Sequence, residues 1–392
     1  MHTAQHLQTF DRITREALTR ILDTPIGDRS WHQAKLPVSM GGLGLRAAED
    51  QAPAHYAASV LSSKTLVQSL LGVGDIGDEV HPVVEGEELQ GSLHPRLLAA
   101  LGVAQGEQVT EGELAGLSQR MMSAKVDKHQ LQQLQAQVPE EDVREKARLA
   151  SLSLPHSGDW LNCPPLKALG LHLRSPEFVL AVKYRLGLPI YDMEGPCPAC
   201  LRPSDLYGDH ALCCGTGGER ISRHNALRDA FYDTAVSAGL GPTREGRFLL
   251  PGADRRPADV MVPNWVGGRD AALDVTVVHP FQGATLARAA TEPGHALNFA
   301  YDRKLRGTWE DCERQGIAFL PIVAESMGGW HATAEREVKK LGSALARHTG
   351  QLEGEAISHL WGRLGILLQR GNAALLGNRV PGYPEPEIDG IE

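Results

Sequence analysis

No apolar run in this 392-residue chain approaches the roughly eighteen residues that a membrane-spanning helix needs. The opening stretch MHTAQHLQTFDRITREALTRILD is polar with a helical pattern and lacks the apolar centre of a secretory signal. Internal repeats and low-complexity tracts are missing too, which argues against solenoid architectures. Basic charge is not in excess: 39 Lys and Arg face 48 Asp and Glu, a net charge of −9. Phosphate contacts reward a basic surface, so the whole-chain sum weighs mildly against nucleic-acid binding. What remains is an expected intracellular protein with no membrane partner. At 42% hydrophobic and 22% charged it has an ordinary globular composition, and it is long enough for two or more domains.

The acidic residues gather in GDIGDEVHPVVEGEELQ, VPEEDVREKARLA and the terminal PEPEIDGIE, while basic ones gather in RISRHNALRD, GADRRPAD and YDRKLRG. Phe10, Ile13, Ala17, Leu18 and Ile21 fall at helical spacing, which predicts a first helix. Gly41, Gly42 and Gly44 break the chain before a second helix from about Ala47. Residues 72–154 read as helical hairpins joined by acidic loops, with MMSAKVDKHQLQQLQAQV the clearest helix. A Pro-, Ser- and Gly-rich loop at 155–165 is expected to be a boundary, and SPEFVLAVKYRLGLPI a helix after it. Beyond residue 219 the pattern changes. A helix with Ile221, Leu227, Phe231 and Ala235 on one stripe is followed by three β-like runs, RFLL, ADVMV and AALDVTVV. A long helix over about 285–314, a buried strand IAFLPIVAE and helices near 330–349 and 354–371 complete an α+β, mixed-sheet pattern.

Cysteine is scarce, and four of the six residues crowd into CPACLRPSDLYGDHALCC, from Cys197 to Cys214. A disulfide knot, a zinc site and chance are the alternatives, and an intracellular setting disfavours the first. Cys197 and Cys200 form C-x2-C, His210 follows a short loop, and Cys213 or Cys214 supplies a fourth ligand. Such a set suits a closed, tetrahedral, structural Zn²⁺. Spacing does not decide between Cys213 and Cys214. Cys163 and Cys312 are isolated and read as core residues.

Asp259 opens ADVMV, and Asp274 lies inside AALDVTVV after a loop holding Gly267 and Gly268. On adjacent strands these carboxylates become neighbours. An aspartate in an apolar strand is costly to bury unless paired or cation-bound, and two together suit Mg²⁺. The plainer alternative is a turn residue and a salt-bridged one. Lys304 is a candidate third member, or a solvated lysine; Glu245 is a further carboxylate, or a surface residue. His224 lies on the apolar side of its helix, as a core histidine would. Arg220, Arg223 and Arg228 on that helix, and Arg256 in GADRRPAD, either grip phosphates or form a solvated face.

Taken in order, the Cys-Cys-His-Cys knuckle, the Arg223-His224-Asn225 helix, the RRPAD strand and the DVTVV strand resemble the C-terminal half of non-LTR retrotransposon proteins with a restriction-like endonuclease. The resemblance implies a PD-(D/E)xK core, a mixed sheet flanked by helices that carries a metal-binding carboxylate pair. Ala258 separates Pro257 from Asp259, and fourteen residues separate Asp259 from Asp274. Thr276 stands where the wider class often has its lysine. Lys304 matches the first lysine of a K-x-x-K-Y-like pattern, with Gly307 and Thr308 at the second lysine and the tyrosine. WHQAKLPVSMGGLGLRAAE resembles the end of the reverse-transcriptase thumb, yet fingers, palm and any Y-A-D-D motif are missing. The implied organisation is a thumb-like helical remnant at 1–70, a helical linker at 71–160, a helix and knuckle at 161–218, an endonuclease at 219–372 and a disordered tail at 373–392. The implied activity is Mg²⁺-dependent cleavage of DNA, with element RNA as a further partner and a nuclear location. A non-catalytic zinc-containing nucleic-acid module and a decayed fragment are the alternatives.

Overall fold

The computed structural model describes residues 2–71, 95–103, 116–246 and 258–380. Two compact units emerge, one of residues 1–37 and 42–138, the other of residues 38–41 and 139–392. The division falls at residue 138, not in the Pro-rich loop at 155–165. That loop folds into the second unit through a short helix whose Trp160 is buried.

The first unit is helical: α1 (His2–Leu22), α2 (Asp28–Lys35), α3 (Ala48–Leu71), α4 (Pro95–Ala100) and α5 (Gln119–Ala136). Ser118 caps α5, its hydroxyl accepting the Met121 N–H at 3.3 Å. A small core of Ala54, Ala58, Leu97, Met122 and Val126 joins α3, α4 and α5. In α1 the inward residues are Leu18 and Leu22. Phe10, Ile13 and Ile21, at the same helical spacing, are more than half exposed. Periodicity identified the helix but not which side of it is covered.

The second unit begins with α6 (Val143–Leu152), α7 (Asp159–Asn162) and α8 (Ser175–Arg185). Pro176 in the first turn and Glu177, whose carboxylate accepts the Arg174 N–H at 2.8 Å, start α8. A two-residue hairpin, β1 (Gly195–Pro196) with β2 (Pro203–Ser204), and α9 (Asp209–Cys213) carry the cysteines. Then come α10 (Glu219–Ser237), β3 (Thr243–Gly246), β4 (Ala258–Val266), β5 (Arg269–Val278), α11 (Leu286–Ala289), α12 (His295–Arg314), β6 (Ala318–Glu325), α13 (Ala332–Thr349) and α14 (Glu353–Gly377). The RFLL run lies outside the described residues. So does most of the expected tail, but residues 373–377 belong to α14, with Leu375 and Leu376 fully buried. The long helix expected over 285–314 is two helices. Pro293 and Gly294, the latter at φ 81°, interrupt it.

The strands form one mixed sheet in the order β3-β4-β5-β6, antiparallel except for the parallel β5–β6 pair, which α12 connects. Pro321 sits in β6, which is tolerable because β6 ends the strand order of the sheet. A two-residue turn joins β4 to β5. Gly267 and Gly268 both have positive φ, 55° and 82°, as a type I′ turn demands. Before the turn, β4 carries a bulge between Val262 and Val266, where Asn264 takes φ 52° and its N–H meets Asp270 Oδ1 at 3.1 Å.

Val260, Val262, Leu273, Val275 and Ile322 face a core shared with Leu227 and Phe231 of α10 and with Val338, Trp361 and Leu364 of α13 and α14. Full burial of a side chain such as Phe231 contributes about 2–3 kcal/mol. Met261, Ala272 and Phe319 face the other way, against Cys312 and Leu305 of α12. Alternation therefore places Asp259 and Asp274 on the α12 side of the sheet. Ile221, expected on the buried stripe of α10, is exposed at the first turn, ahead of the contact with the sheet. Of the two isolated cysteines, Cys312 is buried and Cys163 only partly so.

Candidate functional site: a Cys3His cluster and an aspartate pair

The hairpin β1–β2 closes through Cys197 N–H to Arg202 O and Leu201 N–H to Cys197 O, both 2.8 Å, with Leu201 in the left-handed region. This tight turn brings Cys197 and Cys200 together. Asp205 then shapes the entry to α9. Its carboxylate accepts N–H bonds from Tyr207, Asp209 and His210 at 2.9, 3.1 and 2.9 Å. These bonds overcome the upward push of burial and hold the Asp205 carboxyl below the usual range.

The result is a group of four, Cys197, Cys200, His210 and Cys214, whose ligand atoms all lie within 4.8 Å of one another. Cys200 Sγ and His210 Nε2 are 3.2 Å apart. With a Zn–S distance of about 2.3 Å, tetrahedral ligands sit somewhat under 4 Å from each other, so this donor set fits a metal ion such as zinc. Among the described residues it is the only group of three or more such side chains gathered this closely. Cys213 does not belong to it. Adjacent residues at the end of α9 point in different directions, so one of the two thiols turns away. Burial pushes the Cys213 thiol up to about 11. Burial also acts on Cys214, but hydrogen bonds from the Arg379 guanidinium, the Thr216 backbone and Cys200 bring it down to about 6.

The second constellation lies on the sheet. Val260 pairs with Leu273 and Met261 with Ala272, a register that sets Asp259 opposite Asp274. Like charges directly opposite are destabilising, and each carboxylate has its own basic partner. His224 Nε2 lies 3.1 Å from Asp259 Oδ2, and Lys304 Nζ lies 2.7 Å from Asp274 Oδ2. Asp259 Oδ2 also accepts the Val275 N–H at 2.7 Å. Burial, with a smaller contribution from the Asp259 charge, raises the Asp274 carboxyl, while Lys304 opposes the rise. The hydrogen bond to Asp259 raises the His224 imidazole above its ordinary value despite burial. His224 is thus not a plain core histidine, and Lys304 is not a solvated one.

The remaining sequence candidates are placed differently. Glu245 falls opposite Asp259 in the β3–β4 register, but at φ 46° its carboxylate reaches Arg228 Nη1 at 2.8 Å. It forms no three-carboxylate group with the aspartates. Arg223 is 3% exposed and donates to Asn372 Oδ1 at 2.7 Å, so it lies inside the fold and not on a phosphate-facing surface. Arg228 is held by Asp229 and Glu245. Arg220 is exposed and donates to the Cys213 carbonyl at 3.0 Å. Arg256 lies outside the described residues.

A buried polar network connecting the knuckle to the sheet was not anticipated from the sequence. Asp209, next to His210, accepts from Arg144 Nη2 at 2.8 Å and Tyr184 Oη at 3.2 Å. His279 Nε2 lies 3.7 Å from the same carboxylate, and His279 Nδ1 lies 2.8 Å from Ser326 Oγ. Asn372 Nδ2 donates to Ser326 O at 2.7 Å, and Asn372 Oδ1 receives Arg223. Burial drives the His279 imidazole down to about 4, so it is neutral at physiological pH. The sequence signal was faint: His279 and Ser326 each follow the last residue of a strand, β5 and β6.

Among the described residues no helix is long and apolar enough to cross a membrane. No protein-family model matches the chain, and no curated protein is significantly similar to it.

Proposed function

We propose that the protein is a metal-dependent DNA endonuclease of the restriction-like type, related to those of non-LTR retroelements and lacking a polymerase palm. The observation that carries this reading is the pairing of Asp259 and Asp274 across β4 and β5, with Lys304 brought to Asp274 by α12. Two facing carboxylates make a hard-oxygen donor set. That set fits Mg²⁺. A bound Mg²⁺ would polarise the scissile phosphate and acidify a water. Asp259 and Asp274 hold the ion. Lys304 Nζ, next to Asp274, orients the attacking water. His224 fixes Asp259 Oδ2 and carries a proton at Nε2 when protonated. Glu245 has no part in this scheme. The Cys3His cluster holds a structural Zn²⁺ that folds a segment too short for its own core.

The test is nicking of supercoiled DNA by the purified chain with Mg²⁺ or Mn²⁺. Wild-type protein that leaves DNA intact, or an Asp274→Ala variant that nicks as fast as wild type, defeats the reading. A second reading, a non-catalytic zinc-containing nucleic-acid module, is favoured by Gly307 and Thr308 standing where a second lysine and a tyrosine are expected. It requires DNA binding that survives loss of both aspartates and fails when Cys197 or Cys200 is replaced.

A further inference from the structure

Cys197 and Cys214 lie inside the fold, 0% and 5% exposed. Three thiolates around one divalent ion leave a net negative charge there, and burying a charge is costly unless a counter-charge meets it. The arginines next to the cluster in the chain do not meet it. Arg202 is exposed, and Arg220 is exposed and donates to the Cys213 carbonyl.

The cation comes from the last helix. Arg379 follows the final turn of α14 and is 6% exposed, with its guanidinium against the sulfurs of Cys214 and Cys197. Two backbone carbonyls fix it there: Nη1 donates to Leu375 O at 2.5 Å and Nη2 to Thr216 O at 3.2 Å. The buried Nε–H has no oxygen acceptor. Glu219 Oε2 stands 3.9 Å from Nη2, beyond hydrogen-bond range, and Glu219 Oε1 receives Asn378 Nδ2 at 2.9 Å. A plainer role is that of a helix cap, since a cation at a helix C-terminus meets the last carbonyls. The bond to Leu375 O serves that role. Capping requires no burial against sulfur, however, and arginine is seldom fully buried without a paired charge.

We propose that Arg379 is the counter-charge of the Cys3His centre, and that its guanidinium sets how tightly Cys197 and Cys214 keep a divalent ion. This role rests on the cluster's holding zinc, and not on the endonuclease reading. Groups that support metal ligands from behind change metal affinity by about 10–100-fold. A guanidinium beside a thiolate also stabilises the sulfur lone pairs, so its removal is visible in sulfur-to-metal charge transfer.

The experiment uses the full chain in two forms. Loaded with Zn²⁺ it gives affinity by competition with a chromophoric chelator, and loaded with Co²⁺ it gives the charge-transfer band. Arg379→Met keeps the apolar stem; it should hold zinc about ten-fold or more weakly and move the cobalt band to longer wavelength. Arg379→Lys keeps the charge and should recover most of the affinity. Tyr191→Phe separates charge from tethering, because Tyr191 Oη donates to Leu376 O at 3.1 Å and ties down the same end of α14 with an uncharged group. That variant should melt earlier yet keep wild-type zinc affinity and an unmoved cobalt band. Wild-type affinity and band position in Arg379→Met overturn the proposal. Loss of zinc by Arg379→Lys as large as that of Arg379→Met overturns it too, and zinc-free Arg379→Lys does so alone if Arg379→Met does not fold. Equal loss in Tyr191→Phe reduces Arg379 to a tether. Wild-type protein that binds neither zinc nor cobalt sinks the zinc reading itself, whereas zinc held alike by wild type and Arg379→Met sinks this proposal alone.

Discussion

Lys304 Nζ stands 2.7 Å from Asp274 Oδ2 at the centre of the sheet face that α12 covers. Burial raises the Asp274 carboxyl, so its charged form is costlier in the fold than in water. Without divalent ions, Asp274→Asn should therefore raise thermal stability by about 1 kcal/mol. It should also abolish any stabilisation by added Mg²⁺ or Mn²⁺. Calorimetry with and without the ion checks both. A destabilised Asp274→Asn protein would show that the ion pair with Lys304 outweighs the burial.

Metal content separates the two adjacent cysteines. Cys197→Ser, Cys200→Ser and Cys214→Ser should each lose bound zinc and melt earlier. Cys213→Ser should keep one zinc per chain, because its thiol lies outside the cluster. Elemental analysis of the four purified variants decides. Retained zinc in Cys214→Ser with loss in Cys213→Ser would reverse the assignment.

His224 supplies a pH-dependent contribution whose direction is fixed. Its folded value is raised by the bond to Asp259, so the protonated form stabilises the fold. That stability is fully present below the ordinary histidine value and is lost as pH rises through the raised one. Removing the carboxylate with Asp259→Asn should lower the His224 value and flatten this part of the stability profile. Imidazole shifts followed by NMR, alongside melts at several pH values, read both effects. A His224 value unchanged in Asp259→Asn refutes the coupling.

Arg223 should behave as a structural residue. It is buried, and Arg223→Met leaves Asn372 Oδ1 without its donor. We expect a loss of about 1–3 kcal/mol in stability. Nucleic-acid affinity per folded molecule should be unchanged, and a titration corrected for the folded fraction tests that. A weakened affinity with intact stability would restore Arg223 to the binding surface.

Several of these features could be read from the residues. The C-x2-C pair and the histidine announced the cluster, because two thiolates in a tight turn can converge on one ion. Asp259 and Asp274 announced themselves as charges in apolar strands. What stayed hidden depends on distant parts of the chain. Choosing Cys214 over Cys213 required the orientation of α9. The inward role of Arg223 required Asn372, 149 residues away. The exposure of Phe10, Ile13 and Ile21 shows the limit of periodicity, which reports a face but not its neighbour. Pro293 and Gly294 were visible as a break and deserved more weight than the apolar pattern running across them.

The bulge in β4 has a consequence beyond the local bend at Asn264. Continued without it, the pairing that begins at Val266 and Arg269 would set Asp259 opposite Thr276 and leave Asp274 facing Met261. Every side chain would keep its side of the sheet, the core would fill much as before, and both aspartates would still be present. They would simply no longer meet. The pairing between Val262 and Val266 is thus as much a part of the site as the carboxylates. Deleting the two extra residues would straighten the strand and keep the acids opposed, whereas pairing those two residues into the ladder would part them without touching either acid.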